Sequence, residues 1–484
     1  MQRKYPIVAR EQRGEKLPVQ GPKSLEPFFN PKVVAVVGVS KTPTKIGSII
    51  FGNFLRPGFT GNVYPVNPKH ERVLGKKCYT SVNEIHESVD LAVIAVPAQA
   101  AIQAVKDCVE KGVKGVIIIS GGFKETGHGG AEREEELKEI VAESNIRIIG
   151  PNCLGIYNPS SMVDTFFLPE EKAGRPKIGS ISFVSQSGAF ALSTIDWMAY
   201  QGVGISKCIS YGNGCDVNEV DLIRYLADDP ATKVIVIYTE GITDGRKFME
   251  EARNTIIKKP ILVVKAGKTK KGSVAALSHT GTLAGSDKIY EVAFKQSGVI
   301  RAEDFQDLFD MAKTLSLQPP APGNRILIVT NGGGAGVMIV DACEICSLEV
   351  PELPSHVQRK LKEQFPPHFS TKNPIDLTGD AYDLGFGIAL DEAFLRYDGV
   401  DGVIICLLPQ VPKLTIEVAN IIADASFKSR KPIVACCMGG EFTANVTREI
   451  EKRGVPVFPT PKRAVDAMWA LVKYGENLKK GDKR

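Results

Sequence analysis

Short runs of apolar, mostly β-branched residues recur along the first third of the chain, separated by amphipathic stretches. The runs cover 33–37, 63–66, 91–96, 116–119 and 147–149. Two of the intervening stretches, 100–111 and 131–144, are predicted as helices. Apolar runs without alternating polar residues are typical of strands that are buried on both faces of a parallel sheet. The pattern predicts a doubly wound α/β domain over 25–155, in which ligands bind at the carboxyl ends of the strands.

The turn after the first predicted strand contains glycines and lysines that suit a phosphate-bearing ligand. It resembles the glycine-rich fingerprint of dinucleotide-binding sites, but it lacks the second glycine and is longer. Glycines let the backbone approach a ligand closely, and the start of the following helix attracts negative charge. The candidate cofactor residues in this turn are Gly38, Ser40, Lys45 and Gly47.

The end of the second predicted strand narrows the choice of ligand. An NAD site would place an acidic residue there to bind the ribose hydroxyls, whereas this chain has Lys69. A lysine suits a phosphorylated ribose or another phosphate, which favours coenzyme A or NADP over NAD. The alternative is a solvated lysine after a turn. The other strand ends and the turn that closes the domain add the candidates Pro97, Gly121, Gly122 and Asn152.

The rest of the chain contains two diverged copies of one pattern. The similar pairs of segments are 181–190 with 326–335, 258–267 with 430–439, and 298–315 with 454–471. Self-similarity at corresponding positions indicates duplication of one domain type. A proline-rich link at 318–323 separates the copies. We therefore predict one domain over 156–318 and a second over 319–484, with residues 1–24 as an N-terminal arm.

The first copy carries an insertion that the second copy lacks. The interval from Gly267 to Gly298 is 31 positions, whereas the matching interval 439–454 is 15 positions, so the first copy has 16 extra residues. These residues fall across 275–287, a run of small residues with His279 near its centre, which we expect to be a loop. Function often resides in a segment inserted on a shared fold. His279 is therefore a candidate catalytic residue rather than an incidental surface histidine.

Each copy begins with a strand followed by small residues and a predicted helix. Backbone N–H groups at a helix N-terminus, together with the helix dipole, bind anions. Two such helix starts could hold one phosphate between them if the copies pack face to face, although glycines there also permit tight helix–strand packing. The candidate phosphate-binding residues are Ser187 and Gly188 in the first copy, and Gly333, Gly334 and Ala335 in the second.

A histidine near a bound phosphate can accept a phosphoryl group, because neutral imidazole is nucleophilic near pH 7. A carboxylate commonly fixes the tautomer of such a histidine. Glu240, which follows the apolar run 234–239, is our first candidate for that role. Asp216 is the second, since an aspartate after Gly-Asn is also common in turns. For Glu240 the alternative is a helix-capping or solvated carboxylate.

The composition argues against several classes of function. The net charge is +5, from 60 basic and 55 acidic residues, and we find no basic stripe interleaved with aromatic residues that would predict nucleic-acid binding. A run of about 20 apolar residues, which a membrane span needs, is also missing. Residues 1–23 lack the apolar core of a signal peptide, so we expect a cytoplasmic protein. The ten cysteines lie mostly in apolar runs and predict buried thiols rather than a metal site.

Taken in order, the motifs resemble the α subunit of NDP-forming acyl-CoA synthetases, a family that includes the archaeal ADP-forming acetyl-CoA synthetase and is related to succinyl-CoA synthetase. The motifs are the turn 38–47, Gly150-Pro-Asn-Cys, Ser185-Gln-Ser-Gly, Ser278-His-Thr-Gly and Asn331-Gly-Gly-Gly-Ala-Gly. The resemblance implies an α/β chain with an N-terminal Rossmann-like coenzyme A-binding domain followed by two flavodoxin-like ligase domains. It also implies that His279 is the phosphorylated histidine and that Glu240 contacts it.

The resemblance implies a reaction and a partner as well. Acyl-CoA, ADP and phosphate would interconvert with acid, ATP and coenzyme A through an acyl phosphate and a phosphohistidine. The family needs an ATP-grasp module to exchange the phosphoryl group with nucleotide, and we find neither room for that module nor a P-loop. We therefore expect a separate ATP-grasp β subunit, in an α2β2 assembly, that binds ADP or ATP with Mg²⁺.

Two other functions stay open on the sequence alone. A non-catalytic regulatory protein that binds coenzyme A or a nucleotide could keep the fold without a phosphorylatable His279. An NADP-dependent oxidoreductase is the other alternative, although we find no hydride-transfer site. The sequence does not specify the acid, because acetate, branched-chain and aryl acids are separated by only about 1–3 kcal/mol in a small apolar pocket.

Overall fold

The computed structural model describes residues 24–280 and 286–481, and for 276–280 it describes the backbone alone. The predicted N-terminal arm up to residue 23 and residues 281–285 of the predicted loop lie outside the described residues. Three predominantly parallel sheets, each flanked by helices, follow one another along the chain. The predicted α/β class is confirmed.

The first domain contains all five predicted strands and both predicted helices, with ends shifted by three residues at most. Its elements are α1 (Glu26–Phe29), β1 (Val33–Val37), α2 (Ile46–Phe54), β2 (Asn62–Val66), β3 (Arg72–Val73), β4 (Lys76–Lys77), β5 (Leu91–Ile94), α3 (Ala98–Lys111), β6 (Gly115–Ile118), α4 (His128–Glu143) and β7 (Arg147–Ile149). Five of the strands form a parallel sheet in the order β2-β1-β5-β6-β7, and β3 pairs with β4 as a small hairpin.

Strand β1 shows why the predicted strands lack polar alternation. Val34 and Val36 pack into one apolar cluster, whereas Val33 and Ala35 pack into another, so both faces of the sheet are covered. The strand order also changes direction at β1, because the chain continues to β2 on one side and to β5 on the other. The carboxyl end of β1 is therefore the topological switch point where a ligand is expected.

The second domain is built on a seven-stranded sheet. Its elements are β8 (Gly155–Asn158), β9 (Val163–Asp164), β10 (Ile178–Ser185), α5 (Gly188–Tyr200), β11 (Ile205–Ser210), α6 (Glu219–Asp228), β12 (Val234–Thr239), α7 (Gly245–Ile256), β13 (Ile261–Lys265), α8 (Lys270–Thr280), α9 (Asp287–Ser297), β14 (Ile300–Arg301) and α10 (Phe305–Leu317). The strand order is β14-β13-β12-β10-β11-β8-β9, and β8 joins β11 in antiparallel orientation.

The third domain repeats the parallel part of the second. Its elements are β15 (Ile326–Thr330), α11 (Gly333–Ile345), α12 (Ser355–Gln364), β16 (Ile375–Asp376), α13 (Asp383–Leu390), β17 (Gly402–Leu407), α14 (Glu417–Lys428), β18 (Ile433–Cys437), α15 (Glu441–Lys452), β19 (Val457–Phe458) and α16 (Pro461–Gly481). The order β16-β15-β17-β18-β19 matches β11-β10-β12-β13-β14 strand for strand, which is the 2-1-3-4-5 order of flavodoxin-like sheets. The predicted relation between the two copies is thus visible in their topology.

The insertion in the first copy contains a helix. Only α15 connects β18 to β19, whereas both α8 and α9 connect β13 to β14. The expectation of a loop over 275–287 was wrong for its first part, because Ala275 to Thr280 belong to α8. Thr269 explains the start of this helix, since its hydroxyl oxygen accepts the Gly272 N–H at 3.0 Å. Alanine and leucine, which begin this segment, are also strong helix formers.

The two copies pack through corresponding helices, α10 and α16. Arg463 of α16 donates to both carboxylate oxygens of the buried Asp310 on α10, at 2.6 and 2.9 Å. Charge-assisted bidentate pairs of this kind fix orientation as well as distance. We propose the division into 25–155, 156–318 and 319–484. Strand β8 begins at Gly155, at the first of these boundaries, and pairs with β11 of the second sheet.

The described residues were compared with the requirements of a membrane span, a disulfide and a metal site. None of their helices is both long and apolar enough to cross a membrane. The ten cysteines are free thiols, and eight of them are buried, as predicted. Among the same residues no group of three or more His, Cys, Asp or Glu could hold a metal ion.

Candidate active site

A cavity of about 620 Å³ lies at the switch point of the first sheet. We call it the N-domain cavity. It is bordered by the ends of β1, β2 and β5 and by the starts of α2 and α3. Four of the predicted cofactor residues line it: Gly38, Lys45, Lys69 and Pro97.

Close packing explains the two glycines of the first turn. Gly38 has a φ of +99°, and a Cβ there would lie 2.4 Å from the Ala95 carbonyl oxygen. A Cβ on Gly47 would lie 2.5 Å from the Gly38 carbonyl oxygen. A side chain at Gly47 would push α2 away from the turn, and one at Gly38 would clash with the backbone that follows β5. Ser40 braces the same turn, because its N–H donates to Ser48 Oγ at 3.0 Å and its Oγ accepts the Thr42 N–H at 3.2 Å.

Lys69 is placed at the cavity rim by Asn67. The Asn67 amide donates to the Val39 carbonyl at 2.7 Å, and its oxygen accepts the Lys69 N–H at 2.9 Å. Asn67 thereby ties the turn after β2 to the turn after β1. Lys69 is exposed and lines the same cavity as Lys45, the residue before α2, where a helix start favours an anion.

Gly121, Gly122 and Asn152 do not line the N-domain cavity. The Gly122 N–H donates to the Glu125 carboxylate at 2.5 Å, and the Asn152 amide donates to Asn213 at 3.3 Å. Asn152 instead lines a second cavity, of about 370 Å³, between the first and second domains. We call it the interdomain cavity. It brings Asn152 together with the predicted phosphate residues Ser187 and Gly188 at the start of α5.

The interdomain cavity combines an apolar wall with neutral polar groups. Phe167, Leu168 and Leu192 form part of the apolar wall, and the residues that line the cavity include no Lys, Arg or His. Cys153 also lines it, but burial raises the pKa of this thiol to about 12. The thiol therefore stays protonated at neutral pH, which argues against a cysteine nucleophile.

A third cavity, of about 490 Å³, lies on the other side of the α5 N-terminus. We call it the α8 cavity. It is lined by Ser187 and Ala189 from α5, by Glu240, and by Gly272 and Ala275 from α8. Ala275 precedes His279 by four residues, so both lie on the same face of α8. The backbone of His279 therefore belongs to the helix that borders this cavity, and its side chain lies outside the described residues.

Glu240 lies at the carboxyl end of β12 and is only 4% exposed. The Tyr238 hydroxyl donates to the Glu240 carboxylate at 3.2 Å. The backbone N–H of Glu240 donates to the Gln186 carboxamide oxygen at 2.8 Å. Burial and the nearby Glu240 carboxylate raise the pKa of Tyr238, so the phenol remains a donor. Glu240 thus lines the cavity that α8 borders, and its role in orienting His279 stays a prediction.

Lys265 anchors the turn that precedes α8. Its fully buried ammonium donates to the Ala266 carbonyl oxygen at 2.7 Å and lies 4.6 Å from the centre of the Tyr290 ring. Burial lowers the pKa of this ammonium. Tyr290 belongs to α9. Its hydroxyl oxygen accepts the N–H of Ile242, which lies two residues after Glu240, at 3.2 Å. These contacts link the end of β13 and helix α9 to the segment that follows Glu240.

The structure places Asp216 away from both α5 cavities. Its two carboxylate oxygens share the single Nε–H of Arg147, at 2.9 and 3.1 Å, and the carboxylate also accepts the Ile148 N–H at 2.8 Å. Both Asp216 and Arg147 are largely buried. This carboxylate joins the second domain to β7 of the first, which favours Glu240 as the partner of His279.

Asp216→Ala is expected to lower the free energy of unfolding by about 3 kcal/mol. Removing one partner of a buried ion pair leaves the other charge uncompensated, which costs about 3–5 kcal/mol, and Asp221 still contacts Arg147 at 3.3 Å. Urea denaturation followed by circular dichroism measures the change. Asp221→Ala, which removes the more exposed partner, is the control and should have a smaller effect. Equal stabilities of Asp216→Ala and wild type would contradict this assignment.

The second predicted phosphate site, at the start of α11, lines neither of the cavities at the start of α5. Gly333, Gly334 and Ala335 form the first turn of α11, as the sequence predicted. A Cβ on Gly333 would lie 2.9 Å from an Asp376 carboxylate oxygen, so this glycine also serves close packing. Neither of the cavities at the start of α5 includes a described residue of α11.

Sequence reasoning missed several residues of the site. Gln186 lies inside the motif Ser185-Gln-Ser-Gly, in which the sequence points only to Ser187 and Gly188 as phosphate-binding residues. Phe167 and Leu168 come from a segment without regular secondary structure, so periodicity gave no signal for them. Lys265 ends an apolar strand, where a lysine is commonly assumed to be exposed.

Three family models cover most of the chain. They are a CoA binding domain over 32–159, a succinyl-CoA ligase like flavodoxin domain over 178–315 and a Ligase-CoA domain over 326–465. These matches define the class: a coenzyme A-binding α/β domain followed by two ligase-type domains, which is the predicted fold class.

Similar proteins narrow the class to one family. The chain is 41% identical over 458 residues to the α subunit of acetate–CoA ligase (ADP-forming) II from Pyrococcus furiosus, covering 94% of this chain and 98% of that one. It is 42% identical over 452 residues to acetate–CoA ligase (ADP-forming) I from Archaeoglobus fulgidus, covering 93% of this chain and 64% of that longer protein. The chain belongs to the family of ADP-forming acetate–CoA ligases.

A solved structure shares the whole architecture. The dinucleotide forming acetyl-coenzyme A synthetase 1 of Ca. Korarchaeum cryptofilum, in complex with phosphate and ADP, superposes with a TM-score of 0.88 at 39% identity. The match covers 95% of this chain and 99% of that one. The agreement extends over all three domains, including both ligase-type copies.

Proposed function

We propose that the chain is the α subunit of an ADP-forming acyl-CoA ligase. It would interconvert acyl-CoA, ADP and phosphate with acid, ATP and coenzyme A through an acyl phosphate and a phosphohistidine at His279. One observation carries the proposal: the start of α5 borders both the interdomain cavity and the α8 cavity. A phosphoryl group held there lies between a site for the acyl group and the helix that carries His279.

Coenzyme A would bind in the N-domain cavity. The start of α2 and the ammonium of Lys69 suit the phosphates of its nucleotide end. Asn152 would meet the thiol end in the interdomain cavity, whereas Gly121 and Gly122 would shape the strand end between them. The contacts of Gly122 with Glu125 and of Asn152 with Asn213 hold this edge in place.

Lys69→Ala is expected to raise the Kd for coenzyme A about tenfold, the size of one exposed charge-assisted contact. Isothermal titration calorimetry measures the change. Lys76→Ala is a matched control, because Lys76 is also an exposed lysine of the first domain and does not line the cavity. If Lys69→Ala binds coenzyme A as tightly as wild type does, the cavity does not use this lysine.

The acyl group would occupy the interdomain cavity. Its apolar wall at Phe167, Leu168 and Leu192 suits the alkyl or aryl part of a carboxylic acid. The backbone N–H groups at the start of α5 suit the phosphate that replaces the thiol. In the second copy, Gly333, Gly334 and Ala335 would offer a corresponding helix start to the same phosphoryl group during transfer.

The nucleotide would bind on a partner subunit. Relatives of this length are named as α subunits, which supports a hetero-oligomer. We propose an ATP-grasp β subunit in an α2β2 assembly, with ADP or ATP and Mg²⁺ held by the partner. Glu240 would then fix the tautomer of His279 for phosphoryl transfer in both directions.

Acyl transfer without nucleotide tests the proposal. The chain is mixed with acetyl phosphate and coenzyme A, and thioester formation is followed by its absorbance near 232 nm. We expect thioester and free phosphate in equal amounts, with no need for ADP. The absence of any thioester for acetyl, branched-chain and aryl acyl phosphates, in the presence of the β partner, would contradict it.

A further inference from the structure

Gln186 lies in the wall between the two cavities that meet at the start of α5. It directly follows β10 and precedes Ser187, the residue that caps α5. Its side chain is 7% exposed, and the residue lines the interdomain cavity. Glu240, which its side chain contacts, lines the α8 cavity instead. Gln186 therefore lines one cavity and contacts the backbone of a residue that lines the other.

Hydrogen bonds fix the orientation of this carboxamide. Its oxygen accepts the N–H groups of Glu240 at 2.8 Å and Gly241 at 3.3 Å. Backbone N–H groups can only donate, so the atom that faces them is the oxygen, whichever way the amide is drawn. The NH₂ group therefore points away from 240–241, and the interdomain cavity is the other space that the residue borders.

The other polar side chains of the interdomain cavity already make hydrogen bonds within the protein. The Asn152 amide donates to Asn213, and the Asn213 amide donates to Glu125 at 2.7 Å and Glu134 at 2.8 Å. The Ser187 hydroxyl oxygen accepts the Phe190 N–H at 3.3 Å. Because no cationic residue lines the cavity, negative charge there must be met by neutral donors. Gln186 and the first N–H groups of α5 are neutral donors at this cavity.

We propose that Gln186 is a catalytic residue of the acyl-transfer step, an inference that rests on the proposed function. In this step an oxygen of HPO₄²⁻ bonds to the thioester carbonyl carbon, the carbon–sulfur bond breaks, and the phosphate proton passes to the leaving thiolate. Negative charge develops on the carbonyl oxygen. The Gln186 NH₂ donates to that oxygen, the N–H groups at the start of α5 hold the phosphate, and the Gln186 oxygen holds the backbone of Glu240.

Gln186→Glu separates the two ends of the side chain. A carboxylate still accepts the N–H groups of Glu240 and Gly241, but it replaces the donor by an acceptor. Thioester formation from acetyl phosphate and coenzyme A is expected to slow by about 10²–10³-fold, as for loss of one oxyanion donor. The Kd for coenzyme A, measured by calorimetry, should stay within about twofold. A wild-type rate for Gln186→Glu would overturn the proposal.

A neutral variant covers the case in which the buried carboxylate prevents folding. Methionine at position 186 has a similar size to glutamine and lacks the NH₂ donor. The Gln186→Met variant should therefore also slow thioester formation by at least about tenfold. A wild-type rate for this variant would overturn the proposal. The matched control is Gln318→Met, because Gln318 is equally buried and its oxygen also accepts a backbone N–H, from Ile433, whereas its NH₂ donates to the Gly454 carbonyl. Its rate per folded molecule should be unchanged. An inactive wild type would instead refute the proposed function itself.

Discussion

His279→Ala is expected to abolish nucleotide-coupled ligation while leaving acyl transfer between phosphate and coenzyme A within about tenfold of wild type. The coupled rate should fall by at least about 10⁴-fold, because alanine cannot carry a phosphoryl group and removal of a covalent nucleophile eliminates the route. Acyl transfer should persist, since the interdomain cavity and the start of α5 do not include α8. The variant thus separates the two half-reactions.

The coupled rate is measured with acid, ATP and coenzyme A in the presence of the β partner. Acyl transfer is measured with acetyl phosphate and coenzyme A alone. His356→Ala is the control, because His356 is an exposed histidine of α12 in the third domain and lines none of the three named cavities. A His279→Ala variant that still couples ATP cleavage to thioester formation would contradict a phosphohistidine at this position.

Glu240→Gln is expected to slow phosphorylation of the chain by about 10²–10⁴-fold, the range seen when the residue that orients a catalytic histidine loses its charge. Glutamine has the same size and can keep the hydrogen bond with Tyr238. It cannot stabilise the imidazolium form, and its NH₂ end cannot accept from the ring N–H. The loss should therefore appear in the rate of phosphorylation and hardly in the stability.

Rapid-quench measurement of phosphoprotein formation tests this prediction. Glu219→Gln is the control, since Glu219 is equally buried on α6 and lines neither cavity at the start of α5. Asp216→Ala offers a second comparison, because we expect it to lose stability and keep the phosphorylation rate of the folded molecules. Similar rates for Glu240→Gln and wild type would leave His279 without an identified orienting residue.

Much of the fold could be predicted because the burial of a strand determines which residue types it contains. Strands such as β1, covered on both faces, must be apolar throughout, and the strands of the two copies occupy matching places in the same order. The insertion was located by spacing alone. The intervals between matching glycines differ, and the structure shows an extra helix, α8, in that place.

Other parts could not be predicted because they depend on packing between distant segments. Small residues at 275–280 suit both a loop and a helix, and the Thr269 cap decides for the helix. Asp216 and Glu240 are both carboxylates near strand ends, and only the position of Arg147 shows which one is engaged elsewhere. The apolar wall at Phe167 and Leu168 comes from irregular chain, which carries no periodic signal.

The most direct test of the account is the site of phosphorylation. The chain is incubated with acetyl [³²P]phosphate, and the labelled peptide is identified by mass spectrometry under alkaline conditions. We predict a base-stable, acid-labile label on His279 that is lost in His279→Ala and retained in His356→Ala. A label on another residue, or one that survives acid, would contradict the account.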